Sequence, residues 1–72
     1  MLEFAKRLKK ERELNRLTQK EMAEKLNIPL NTYKTYEALG LGHAEPRYET
    51  LIKICEILMT TSDELLGIKP VK

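Results

Sequence analysis

The side chains that could carry out a reaction are few and scattered in this sequence. Glu21 and Glu24 lie one helical turn apart, as catalytic carboxylates sometimes do, but their charged surroundings favour a solvated helix face. Cys55 is the single cysteine and His43 the single histidine, and the sequence shows neither a nucleophile placed with its base nor the cluster of ligands that a zinc site requires. We therefore predict no enzyme activity, no catalytic residue, no metal site, no cofactor and no small-molecule ligand.

Residues 18–37 carry most of the remaining polar chemistry, and their spacing predicts two short helices joined by one tight turn. Thr18 and Glu21 have the spacing of a capping box, which opens a helix. Asn27 lies at the turn, where a residue that tolerates positive φ is needed. Pro29 then presets φ for the first turn of the next helix. The segment thus predicts a helix-turn-helix unit able to enter a groove.

The apolar positions of this segment fit the same arrangement. Ala23 is a small residue at the point where the two helices would cross most closely. The positions expected to face the core are Met22, Leu26, Ile28, Tyr33 and Tyr36.

Length and composition limit the alternatives. The chain has 72 residues, of which 42% are hydrophobic and 33% charged, so we predict one domain with one core rather than a disordered or membrane protein. No run approaches the roughly 18 apolar residues of a membrane span, and no secretory signal begins the sequence. The single cysteine excludes an intrachain disulfide and suits a reducing compartment. We expect a cytoplasmic location.

The charge is distributed unevenly along the chain. Residues 1–36 carry nine lysines or arginines against five glutamates, a net of +4, whereas residues 37–72 carry four against six acidic residues, a net of −2. The basic half contains the helix-turn-helix segment. Such asymmetry is expected where one face meets a polyanion.

Nearly the whole sequence is predicted to be helical, and the fold class is all-α, a compact five-helix bundle. Helix 1 is expected to end near Leu14, helix 2 to follow Thr18, and helix 3 to occupy about residues 30–38. Residues 38–46 are the one real loop, helix 4 follows Pro46, and a second capping box opens a fifth helix at Thr61. Two adjacent apolar stripes predict an unusually wide apolar face on helix 4, namely Leu51, Ile54 and Leu58, and Tyr48, Ile52, Cys55 and Met59.

Several pieces of the sequence, in this order, resemble the Xre family, the helix-turn-helix domains similar to lambdoid phage repressors and Cro. They are RLKKER in helix 1, TQKEMAEKLNI across helix 2 and the turn, TYKTYE in helix 3, and EPRYETLIKICEIL followed by SDELLG. The resemblance covers about residues 4–67, leaves 68–72 as a short tail, and implies a lambda-repressor-like bundle. It implies a small transcriptional regulator, expected to be a repressor, that binds a double-stranded DNA operator.

The resemblance also implies which residues touch DNA. Residues 30–38 would be the recognition helix in the major groove, with base-reading positions at Leu30, Asn31, Thr32, Lys34 and Thr35. Asn31 is the best reader, because its amide can pair with adenine N6 and N7 together. Leu30 offers only apolar contact with a thymine methyl group.

Phosphate contacts are expected at the start of helix 2, where unpaired backbone amides and the positive end of the helix dipole favour anions. The residues concerned are Thr18, Gln19 and Lys20, of which Gln19 matches the family's phosphate-contacting glutamine. The summed charge of Lys6, Lys9, Lys10 and Arg16 is expected to add longer-range attraction, with ordinary surface charge as the alternative for each single residue.

Arg12 and Glu37 match the positions of a partly buried ion pair in similar domains, and we interpret them as structural. A direct contact between Arg12 and DNA is the alternative.

Arg16 and Met59 replace common glycines of the family. Asn15 is therefore expected to supply the left-handed residue after helix 1, and the exit from helix 4 is expected to be distorted or extended. The loop after Glu37 is longer than in the family and lacks lysine and arginine, with His43 as a surface residue.

A domain of this size reads few base pairs, so we expect a homodimer on DNA with half-sites about 34 Å apart or a multiple of that. The candidate dimerisation residues are Ile57, Leu66, Ile68 and Val71, with core packing as the alternative for Ile57 and Leu66.

A second function class, an antitoxin or protein-interaction module with a protein partner, uses the same fold. The long loop without lysine or arginine and the wide face of helix 4 favour that class slightly.

Overall fold

The computed structural model describes residues 2–61 together with residues 64 and 65. Within that part of the chain there are four helices, α1 (Leu2–Leu14), α2 (Gln19–Leu26), α3 (Leu30–Glu37) and α4 (Tyr48–Leu58). These residues include no strand, which confirms the all-α class. The predicted count of five helices is not supported, because only Glu64 and Leu65 of the expected fifth helix are described, both of them helical.

The start and end of α2 follow the predicted local chemistry. Thr18 Oγ1 accepts a hydrogen bond from the Glu21 backbone N at 3.0 Å, and Glu21 Oε1 accepts one from the Thr18 backbone N at 2.8 Å. The helix ends at Leu26, and Asn27 follows in the left-handed region with a φ of 56°. Pro29 then precedes α3 directly. The capping box and the turn are thus confirmed.

The core is one apolar cluster to which every described helix contributes. Tyr33 is fully buried in it, and Ala23 is 2% exposed at the crossing of α2 and α3. Ile28 is only partly buried against the cluster. The buried members are Phe4, Leu8, Met22, Ala23, Leu26, Tyr33, Tyr36, Ile54, Cys55, Leu58 and Leu65. The predicted inward faces of the helix-turn-helix segment therefore meet α1 and α4 in a single core.

The apolar face of α4 is narrower than predicted. Ile54 and Leu58 are buried, and Leu51 is partly buried against the core. Of the second stripe only Cys55 is buried, while the exposed members are Tyr48, Ile52 and Met59. A helix that packs on one side can bury only one arc of its surface, so the outer stripe remains in solvent.

Two positions expected to hold glycine are left-handed although neither is glycine. Arg16 has a φ of 58° and Met59 a φ of 56°. The expectation that Asn15 takes the left-handed role is wrong, because Arg16 has the positive φ there and Asn15 does not; the Asn15 side-chain Nδ2 instead donates to the Glu11 carbonyl at 2.8 Å. Met59 forms the C-cap of α4 directly after Leu58, so that helix is neither extended nor distorted.

The predicted loop between α3 and α4 is folded back on the bundle. The Ala44 backbone N donates to the Thr35 carbonyl at 3.0 Å, and Gly40 has a φ of 105°. His43 is more deeply packed than predicted. Its Nδ1 lies 3.1 Å from the Ala38 carbonyl oxygen, and its ring centroid lies 6.4 Å from that of Phe4. The loop therefore fixes the end of α3 against α1.

Candidate nucleic-acid interface

Glu37 is the centre of a buried hydrogen-bond network that joins α1, α2 and α3. Arg12 donates from Nε to Oε2 of Glu37 at 2.7 Å and from Nη2 to Oε1 at 3.1 Å. The Tyr33 hydroxyl also donates to Oε2, and Gln19 Nε2 donates to Oε1 at 3.2 Å. Arg12 and Glu37 are each 8% exposed. Four donated hydrogen bonds thus compensate the desolvation of the carboxylate.

Arg12 also fixes the chain where it enters α2. Its Nη1 donates to the Leu17 carbonyl at 2.7 Å, one residue before the N-cap Thr18. The hydrogen bond to Glu37 raises the pKa of Arg12, against the opposing effect of its burial. The guanidinium therefore bonds to the end of α3 and to the entrance of α2 at once, which is the geometry of a structural ion pair.

Tyr33 takes part in the network as a neutral donor. Burial and the hydrogen bond to Glu37 both raise the pKa of its hydroxyl above the ordinary value. The phenol therefore keeps its proton at neutral pH and can donate to the carboxylate.

The first turn of α2 leaves two backbone amides free. The Thr18 amide, which we expected to be free, donates to Glu21 Oε1. The amides of Glu21 and Met22 bond to Thr18 Oγ1 and to the Thr18 carbonyl, each at 3.0 Å. Within the described part of the chain, the amides of Gln19 and Lys20 have no such partner. The donors that this turn can offer an anion are therefore those two.

The outward face of α3 presents three unengaged polar side chains. Asn31, Thr32 and Lys34 are exposed, and none of these side chains bonds to another described residue. Leu30 differs, because it is partly buried against the core. Thr35 is also partly buried, and its Oγ1 donates to the Thr32 carbonyl at 2.6 Å. Of the five candidate base-reading residues, three thus have free polar groups.

A basic notch lies where α1, α2 and α3 meet. Its lining residues are Lys9, Arg12, Leu17, Thr18, Gln19, Lys20, Leu30 and Lys34. The notch is open, with about 820 Å³ of empty space that includes solvent. This shape suits a length of charged polymer backbone better than an enclosed small molecule. The notch joins the free amides of α2 to the exposed face of α3.

The remaining chemically interesting side chains do not form a reactive site. Cys55 is buried, and this burial raises the pKa of its thiol, so little thiolate is present at neutral pH. Among residues 2–61, 64 and 65, no three His, Cys, Asp or Glu side chains are grouped so as to hold a metal ion. In the same residues, no helix is both long enough and apolar enough to cross a bilayer.

The candidate dimerisation residues are only partly covered by the structure. Ile57 is partly buried and packs against the core cluster. The other three lie outside the described residues, namely Leu66, Ile68 and Val71.

Sequence reasoning missed three features of this surface. The bond from Gln19 to Glu37 has no local signal, because it depends on the angle between α2 and α3. The hydroxyl of Tyr33 could have been suspected, since Tyr33 precedes Glu37 by four residues and such pairs lie on one helix face. The position of Lys9 in the notch likewise depends on how α1 packs.

Comparison with known proteins gives one family. The sequence profile described as helix-turn-helix matches residues 8–65. The chain is 48% identical over 63 residues to the uncharacterized HTH-type transcriptional regulator YqaE of Bacillus subtilis, covering 88% of this chain and 52% of that protein. No solved structure matches significantly.

Two further relatives have names that state a regulatory role. The HTH-type transcriptional regulator ImmR of Bacillus subtilis is 39% identical over 92% of this chain and 50% of its own length. The cryptic phage CTXphi transcriptional repressor RstR of Vibrio cholerae is 36% identical over 92% of this chain and 56% of its own length. The chain thus spans about half the length of the curated relatives it matches.

Proposed function

The chain belongs to the helix-turn-helix family, and we propose that it acts as a small transcriptional regulator that binds double-stranded DNA at specific sequences. The recognition helix is α3, which lies in the major groove while the start of α2 contacts the phosphate backbone. Regulation occurs by occupation of an operator, with repression as the outcome, in the cytoplasm.

One observation carries this proposal. Gln19 and Lys20, whose backbone amides are free, line the same basic notch as Lys34 of α3, and Asn31 and Thr32 are exposed on that helix. The two backbone amides and the positive dipole end suit a phosphate, which fixes the register of the protein on the duplex. The α3 side chains can then reach base edges, and Asn31 has the geometry to read adenine.

We also propose that the protein binds its operator as a homodimer, with Ile57, Leu66, Ile68 and Val71 contributing to the contact. Two half-sites about 34 Å apart would then be read by two copies of α3. Sedimentation with and without the operator tests this part, because a monomer at high micromolar concentration in both conditions would exclude it.

Selection of binding sites from random duplex DNA tests the main proposal. Enriched, roughly palindromic sites are expected. Asn31→Ala should cost about 1 to 3 kcal/mol at one position of the site and relax the preference there. Gln19→Ala should weaken all sites more evenly, because a phosphate contact carries no direct sequence information.

Lys53→Ala is the matched control, because Lys53 is exposed on α4 and does not line the notch. It should leave both the preferred sequence and the affinity nearly unchanged. Failure of the wild-type protein to enrich any site above random DNA would defeat the proposal.

A further inference from the structure

Lys9 occupies a position that no other lysine of α1 shares. It lines the basic notch together with Lys20 of α2 and Lys34 of α3. Its neighbours Lys6 and Lys10 line only a second concavity, which also contains Glu13 and which Lys9 lines as well. Lys9 is thus the α1 ammonium group placed beside the candidate phosphate-binding turn.

The charge of these three lysines is available to a ligand. Lys9, Lys20 and Lys34 are all exposed, and none forms an ion pair with a carboxylate of the described residues. Arg12 also lines the notch, but its positive charge is balanced by Glu37 at 2.7 Å. The notch therefore presents three lysine charges without an ion-pair partner among the described residues, whereas the charge of Arg12 is balanced by Glu37.

The shape of the notch indicates an extended anion. The lysines come from three different helices and line the same notch as Gln19, rather than forming a row along one helix. For a DNA strand whose phosphate is held at the start of α2, Lys34 offers a positive charge on α3, the proposed recognition helix, and Lys9 offers one on α1.

We propose that Lys9 binds a DNA phosphate directly, so that α1 forms part of the DNA interface and extends the backbone contact beyond the start of α2. This inference rests on the proposed function. Lys9 supplies affinity without sequence preference, because a phosphate is the same at every base pair.

A phosphate-by-phosphate double-mutant cycle tests the inference. Single phosphates of the selected operator are replaced by neutral methylphosphonates, and each duplex is titrated with wild-type protein and with Lys9→Ala, Lys6→Ala and Lys10→Ala. One methylphosphonate in each half-site should weaken operator binding by the wild-type protein about tenfold. The same replacement should weaken binding by Lys9→Ala less than about twofold, because the variant has already lost the charge-assisted contact to that phosphate. Lys6→Ala and Lys10→Ala should keep the full loss at that phosphate.

Salt dependence provides a second readout. Lys9→Ala should lower the slope of log affinity against log salt concentration by about 1 for each bound protomer, and so by about 2 for the proposed homodimer, because each protomer loses one phosphate contact. Thermal unfolding should be nearly unchanged in all three variants, because the three side chains are exposed.

The possible outcomes separate the two proposals. Specific binding with no phosphate coupled to Lys9, or with equal coupling to all three lysines, would overturn this inference and leave the proposed function intact. Absence of specific binding by the wild-type protein would overturn both.

Discussion

Gln19 Nε2 donates a hydrogen bond of 3.2 Å to Oε1 of Glu37, although 18 positions separate the two residues. The same carboxylate accepts two hydrogen bonds from Arg12, which is buried with it. The amide group of Gln19 has two hydrogens, of which this bond uses one. The side chain proposed to contact phosphate is therefore held in place by the ion pair that connects the helices, and the second hydrogen remains for DNA.

This relationship predicts that Gln19→Glu is more damaging than Gln19→Ala. A glutamate at the start of α2 gains up to about 1 kcal/mol from the helix dipole. Both variants lose a hydrogen bond to a charged group, worth about 1.5 to 3 kcal/mol, but only Gln19→Glu also places a second carboxylate beside Glu37, and we expect this repulsion to outweigh the dipole contribution. We expect Gln19→Glu to unfold at a lower urea concentration than Gln19→Ala. We also expect it to bind DNA more weakly than both Gln19→Ala and the wild-type protein. If both variants were as stable as the wild-type protein, the hydrogen bond from Gln19 to Glu37 would contribute nothing to stability in solution.

The ion pair itself predicts a large loss of stability. Replacing Arg12 with alanine leaves Glu37 buried without its main partner, and such a change costs about 3 to 5 kcal/mol, enough to unfold much of a small domain. Arg7→Ala is the matched control on the same helix, because Arg7 pairs with Glu3 at 3.3 Å with both side chains largely exposed. That pair should contribute less than about 1 kcal/mol. Urea denaturation of both variants measures the difference, and comparable losses would contradict the structural role.

Glycine substitutions at the left-handed positions should stabilise the fold. Met59 has a φ of 56° and is 89% exposed, so Met59→Gly removes strain and little packing. The relief of about 1 to 2 kcal/mol exceeds the entropy cost of glycine, which leaves a net gain of about 0.5 to 1 kcal/mol. The melting temperature should then rise by about 3 to 6 °C. Asn27→Gly is the control and should gain less, because asparagine already tolerates this region; a fall in melting temperature for Met59→Gly would refute the argument.

The limits of prediction from the sequence follow from how local each interaction is. The capping box of Thr18 and Glu21 could be predicted because both residues belong to one helical turn. The left-handed residue after α1, which is Arg16, could not be predicted in the same way. The side chain of Asn15 donates to the Glu11 carbonyl and, at 3.5 Å, to the Leu58 carbonyl of another helix, and this second contact has no local signal in the sequence. The partial burial of His43 and the place of Lys9 likewise depend on packing between elements.

The capping box predicts a specific pH dependence. Hydrogen bonds from the Thr18 backbone amide, and then from its side chain, lower the pKa of Glu21 below its ordinary value of 4.5. A carboxylate with a lowered pKa in the folded state adds stability above its unfolded pKa and loses that contribution as the pH falls through its folded pKa. The contribution of Glu21 to stability should therefore be complete at neutral pH and decline below about pH 4.5.

The variant Glu21→Gln tests this dependence, because its amide can still cap the helix but cannot titrate. The melting temperatures of the wild-type protein and Glu21→Gln should differ most at pH 7 and converge near pH 3. Melting curves that stay parallel across this range would show that the carboxylate does not hold the Thr18 amide in solution.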